Sequence, residues 1–457
     1  MALKAKGIVV FSGGSAANNL VDVFREVCEG KKCPLSYVIP ISDNGGSSSE
    51  LIRVFAGPGI GDIRSRLVRL IPDDDENLEK AAIRAFFNHR LPKDSNDARH
   101  EWLDIVEARS PLWANIPSQK KELIRSFLNL LNLEIVKRVR PSSVFNFSSA
   151  SIGNMFLTGA RLFSGSFESA IYLFSSICRV PDNVSVLPAI NTNHTHHISA
   201  GLQDGTVITG QNSISHPSVP TALGGPIVDH TKEAEDHDHI EDANLPGSLP
   251  TLRKQNISFS KTEEEELPAR IERLWYINPY GQEMRLNANS QVLDSLRSAQ
   301  CVIYSIGSLY TSIIPNLILK GVGEGITSPL IRHKILILNS TIDRETGPST
   351  NPMTATDFIA AISRACAYSR GFPVDHVVAK QEFRKYVTHL IHLDGGPRVD
   401  TMELGLLGIE TIRLYGRKMY DEKALVQALV ATIGRRDVRM GSRRNTLDGQ
   451  GKSPTRS

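Results

Sequence analysis

The chain has 457 residues, 40% hydrophobic and 22% charged, with a formal net charge of +3; this is the make-up of a globular protein with a large core, not of a disordered or fibrous one. Residues 435–457, with seven basic and two acidic residues, account for the positive balance, so neither a basic folded surface nor specific nucleic-acid binding is expected. No apolar run approaches the ~20 residues that span a bilayer, and five scattered cysteines, odd in number, argue against a disulfide framework and for a reducing, cytoplasmic setting without membrane partners.

Gly7-Ile-Val-Val-Phe-Ser12 is an apolar run ended by Gly13-Gly14-Ser15, with Leu20, Val23, Phe24 and Val27 following at helical spacing; the pattern predicts strand, tight turn, helix. Residues 35–41 predict a second buried strand, which ends in Ser42-Asp43-Asn44-Gly45-Gly46-Ser47. Strand, helix and strand in so short a stretch favour a right-handed crossover and a parallel sheet. Residues 72–140 read as mainly helical, with Leu123, Ile124, Phe127, Leu128, Leu131 and Ile135 on one apolar face. Ser151-Ile-Gly-Asn154 opens another helical pattern through Met155, Leu157, Ala160 and Leu162, and residues 205–210 suggest a hairpin turning at Asp204-Gly205. Segment 229–266, with eleven acidic and four basic residues, predicts a mobile surface loop. Strand patterns resume at 301–306, 335–338 and 411–415, each followed by a helical one. The expected class is α/β: a mostly parallel sheet with helices on both faces, a helical insertion and an acidic loop.

In open parallel sheets, ligands lie beyond the carboxyl ends of the strands, and several polar loops are expected there. Gly13-Gly14-Ser15 lets the backbone approach an anionic oxygen closely, with the amides of the next helix aimed at it. Asp43, Asn44, Gly45, Gly46 and Ser47 set one carboxylate before a run of N–H and hydroxyl donors, fit for a ribose, a metal or a phosphate. In Gly57-Pro-Gly-Ile-Gly61-Asp62-Ile-Arg64-Ser-Arg66, cations near a helix start oppose its dipole, which Arg64 meeting an anion would explain. Gly307-Ser308-Leu309-Tyr310-Thr311-Ser312 follows an apolar strand and combines hydroxyls with a helix start. Gly153 and Asn154 sit at another helix start. Each pattern also occurs as a plain turn or cap. His194 and His196 could share a strand face and bind zinc, but with no third ligand in sight they read as polar, hydrogen-bonding residues, and His237 and His239, in the acidic loop, read as carrying only accidental weak metal affinity. Walker A, G-x-G-x-x-G and G-x-S-x-G motifs are absent, and no catalytic residue is identified.

As an ordered set, Phe11-Ser-Gly-Gly14, Asp43-Asn-Gly-Gly-Ser-Ser48, Gly61-Asp-Ile-Arg64, Ser151-Ile-Gly-Asn-Met-Phe156 and Gly307-Ser-Leu-Tyr-Thr-Ser312 with Pro315-Asn316 resemble the CofD/YvcK family. The loops look closer to the YvcK, gluconeogenesis-factor branch. That resemblance implies a Rossmann-like fold, a nucleotide-sugar or dinucleotide ligand, and a regulatory role in carbon or sugar-nucleotide metabolism. The CofD branch implies a transferase that uses Mg²⁺ and moves a phospho-acyl group from a nucleotide-activated donor to a phosphate acceptor. Members generally carry two adjacent aspartates in the second loop; Asn44 stands in the second place, so a Mg²⁺ site here would rest on Asp43. On this reading 1–71 begins the Rossmann-like domain, 72–140 is the helical insertion, 141–228 continues the domain with a hairpin, 229–270 is the acidic loop, 271–434 completes it, and 435–457 is a basic disordered tail. A homodimer is compatible with it, and a non-enzymatic scaffold using the acidic loop and tail is the other alternative.

Overall fold

The computed structural model describes residues 6–42, 45–72, 77–139, 144–215, 249, 252, 266–416 and 418–434. Asp43, Asn44, His237, His239, nearly all of the acidic segment and the basic tail lie outside these residues.

Eleven strands are described: β1 Gly7–Phe11, β2 Leu35–Ile39, β3 Val184–Pro188, β4 His197–Leu202, β5 Val207–Thr209, β6 Ile271–Ile277, β7 Glu283–Met284, β8 Ala299–Tyr304, β9 His333–Ile337, β10 His389–His392 and β11 Glu410–Arg413. Seven form one sheet in the order β11-β10-β9-β8-β1-β2-β3, and every neighbouring pair in it is parallel. The mostly parallel sheet expected from the sequence is therefore present, with helices around it. β1 and β2 are buried at every position, as a parallel strand covered on both faces must be. Chain order runs outward from β1 to β3, returns beside β1 at β8, then runs outward to β11. The reversal lies between β1 and β8, the kind of switch point at whose crevice open parallel sheets bind ligands.

The helix Val21–Lys31 that returns β1 to β2 buries Val21, Val23, Phe24, Val27 and Cys28 and ends at Lys32, whose φ of 50° lies in the left-handed region. In the stretch between β2 and β3, helices Leu78–Asn88, Ser95–Val106 and Ser118–Arg138 lie among others. The longest buries Ile124, Phe127, Leu128, Leu131 and Ile135, whereas Leu123, placed by periodicity on the same face, is 38% exposed. A separate antiparallel sheet, β5-β4-β6-β7, braces the segment after β8: the Tyr310 hydroxyl donates to Ile271 O at 2.8 Å and the Tyr276 hydroxyl to Pro315 O at 3.2 Å.

Candidate ligand site at the carboxyl edge of the parallel sheet

The loop after β1 passes between two side chains from distant segments. A Cβ added at Gly13 would lie 2.4 Å from Ser312 Oγ, and one at Gly14 would lie 2.1 Å from Asp62 Oδ1. The double glycine is thus required because the backbone runs where a side chain would stand. Ser15, next in the loop, is exposed.

A second junction forms around Asn154. Its amide nitrogen donates to Ser47 Oγ at 3.1 Å and Ser48 Oγ at 3.4 Å, and the Ser151 amide also donates to Ser47 Oγ, at 3.4 Å. Asn154 Oδ1 accepts from Arg64 Nε at 3.4 Å, while Arg64 donates to Asn88 Oδ1 at 3.1 Å. Gly153 leaves room for this packing, since a Cβ there would stand 2.8 Å from the Arg64 Cγ and Cδ. Gly45 and Gly46, with a φ of 53° at Gly46, turn the chain into helix Ser47–Phe55. Helix Gly61–Arg69 joins the two junctions, carrying Asp62 to the first and Arg64 to the second, with Gly61 as its first residue. Loops 13–14, 45–48, 61–64, 151–154 and 312 are therefore gathered at one end of the sheet, while Asp43 and Asn44 lie outside the described residues.

Arg64 is nine-tenths buried, and burial first, then the like charge of Arg90, pulls its pKa down to about 10. Two residues on, Arg66 is fully buried and structural: it donates to Gly13 O at 3.0 Å, Ser12 Oγ at 3.3 Å and Ala17 O at 3.4 Å, and its guanidinium lies 4.4 Å above the Tyr37 ring.

The loop after β8 is built differently from what its sequence suggests. Gly307, at a φ of +135°, exchanges two 2.9 Å hydrogen bonds with the Asn339 side chain, and Ser308 begins the turn that follows. Tyr310 and Thr311 are buried, and their amides both donate to Glu345 Oε2 at 2.9 Å, while Thr311 Oγ1 donates to Glu345 Oε1 at 2.5 Å. The chain's own carboxylate thus holds the donors that sequence assigned to a ligand. Glu345 and Asn339 were missed because a lone Glu or Asn after a strand carries no motif.

Burial, reinforced by Asp343, raises the Glu345 pKa to about 8 from an ordinary 4.5. A proton held more tightly by the folded chain contributes stability that is whole below about 4.5 and is lost as pH rises through about 8. Melting temperature is therefore expected to fall more steeply between pH about 4.5 and about 8 for the wild type than for Glu345→Gln. Identical slopes in a pH series of thermal melts would contradict this assignment.

Among the described residues, no group of three or more His, Cys, Asp or Glu is placed to hold a metal. His194 is exposed, and His196 Nε2 lies 3.3 Å from Thr192 Oγ1; burial lowers the pKa of His197 to about 4 and keeps it neutral. A separate groove with roughly 380 Å³ of space open to solvent is lined by Leu274, Tyr310, Ile314, Arg364 and Tyr368 among others. No described helix is long and apolar enough to cross a membrane.

Strand order and the glycine loops gathered at its reversal define a Rossmann-type α/β protein, with a candidate ligand site on its carboxyl edge. The family model for 2-phospho-L-lactate transferase CofD matches residues 8–412, and the chain belongs to that family. It is 42% identical over 408 residues to the uncharacterized protein YNL011C of Saccharomyces cerevisiae, covering 85% of this chain and 90% of that one. It is 23% identical over 420 residues to the gluconeogenesis factor of Halalkalibacterium halodurans, covering 90% of each. The crystal structure of protein BH3568 from Bacillus halodurans superposes with a TM-score of 0.56 at 20% identity, over 94% of this chain and 100% of that one, a likeness in fold.

Proposed function

We propose that this protein binds a nucleotide sugar or dinucleotide at the carboxyl edge of its parallel sheet and acts as a regulator in carbon or sugar-nucleotide metabolism. The observation that carries the reading is helix Gly61–Arg69, which sets an acid against the Gly13-Gly14 loop and a buried cation against the Asn154 junction. An acid suits ribose hydroxyls and a cation suits a phosphate, the two chemistries a nucleotide presents. The gluconeogenesis-factor relatives support the regulatory part.

Titration calorimetry and thermal melts with UDP-glucose, ADP-ribose and NAD test it. A ligand that selects the folded state adds about 2.7 kcal/mol at one hundred times its Kd, so at least one of these is expected to raise the melting temperature and give a binding heat. Silence from all three at millimolar concentration would refute the reading.

The family description favours a second reading, a transferase acting on a nucleotide-activated donor with Mg²⁺ held through Asp43. Nucleotide release on incubation with donor, phosphate acceptor and Mg²⁺, followed by mass spectrometry, distinguishes it from binding alone.

A further inference from the structure

The charges around the Asn154 junction do not balance. Arg64 is 9% exposed, and its hydrogen-bond partners are the neutral amide oxygens of Asn88 and Asn154. A further cation, Arg90, repels it. Asp62 attracts it through space, but its carboxylate stands against Gly14. A buried cation without a bonded anion costs several kcal/mol, and proteins keep such a group where a partner supplies the missing charge.

The surrounding polar groups have donors to spare. Ser47 Oγ accepts from both Ser151 N and Asn154 Nδ2, which leaves its own proton for another acceptor. The Ser151 hydroxyl is buried and has no hydrogen-bond partner among the described residues. Guanidinium and two hydroxyls thus stand around Asn154, with Arg90 adding like charge and Asp62 attracting Arg64 only through space, and no described carboxylate is hydrogen-bonded to Arg64. On the other side of the crevice the reverse holds, since Glu345 already fills the amides of Tyr310 and Thr311.

We propose that the junction of Arg64, Ser47, Ser151 and Asn154 is the phosphate subsite of the ligand, so that the diphosphate lies on the β1–β2 side of the crevice and not over the start of the helix after β8. This rests on the nucleotide reading and adds where the anion goes and which side chain takes it. It also states the class of ligand: a phosphate ester or diphosphate, held mainly through its charge.

The test is calorimetry on the full chain with UDP, uridine and inorganic pyrophosphate, for wild type, Arg64→Met and Arg64→Lys. Wild type is expected to bind UDP and pyrophosphate, and UDP far more tightly than uridine. Arg64→Met should weaken UDP and pyrophosphate roughly 10- to 100-fold, the size of a lost charge-assisted hydrogen bond, and leave uridine unchanged. Arg64→Lys should keep part of the affinity, because it retains the charge but not the forked donor. Raising the salt concentration should weaken UDP binding to wild type and hardly affect Arg64→Met. Arg64→Met should fold at least as well as wild type, since it removes an uncompensated buried charge; its melting curve checks this. UDP binding equal in wild type and a folded Arg64→Met would overturn the subsite and leave the nucleotide reading intact. If wild type binds none of the three probes, both fall.

Discussion

Gly14→Ala is expected to abolish ligand binding and destabilise the fold, although alanine suits the backbone there. Gly14 is not among the glycines with positive φ, so the penalty comes from contact alone: the new methyl would lie 2.1 Å from Asp62 Oδ1 and 2.8 Å from its Cγ. Either the loop or helix Gly61–Arg69 has to move, and both carry the site. Overpacking of this kind costs about 1–3 kcal/mol. Since the obstacle is a side chain, Asp62→Ala in the same chain should recover most of the stability, with a coupling of about 1–2 kcal/mol in a double-mutant cycle. Denaturant melts of the four proteins measure it. A Gly14→Ala protein as stable as wild type, or a double variant no better than the single, would show that the loop does not run as described.

Arg66→Ala should be more damaging to the fold than any change at Arg64. Arg66 is fully buried, holds the carbonyls of Gly13 and Ala17, and lies over the Tyr37 ring. Truncation opens a large cavity, orphans buried acceptors and removes a desolvated cation–π contact, for an expected loss of about 3–5 kcal/mol. Urea unfolding gives the value directly, and a loss below about 1 kcal/mol would contradict the role. Two arginines on one helix therefore separate by experiment: Arg66 supports the glycine loop from beneath, and Arg64 waits for an anion.

The sequence pointed to Arg64 as the cation for an anion but gave no sign of the structural task of Arg66, which only burial and partners reveal. The strands that frame the crevice were legible, since β1, β2, β8 and β9 are apolar runs ended by polar loops. β10 was not: it has four residues, bounded by His389 and His392, too few to show a pattern. β3 was also missed, where an exposed Ser185 and a terminal Pro188 break the run. Gly13, Gly14 and Gly153 stood out as candidates because close backbone approach leaves glycine as its trace. The residues that hold the loop after β8 left none. Asn339 meets Gly307 across 32 positions and Glu345 meets Tyr310 across 35, contacts set by the order of strands in the sheet and not by any local pattern. The same lack of local signal made Tyr310 and Thr311 look like free donors.

A crystal structure of the full chain with UDP-glucose bound would test the central claim most directly. The account predicts the nucleotide across the carboxyl ends of β1 and β2, its diphosphate bonded to Arg64 and lying beside the Gly13-Gly14 loop. Clear density instead in the groove beside Tyr368, or over the Glu345-capped turn, with the glycine loops bare, would contradict it.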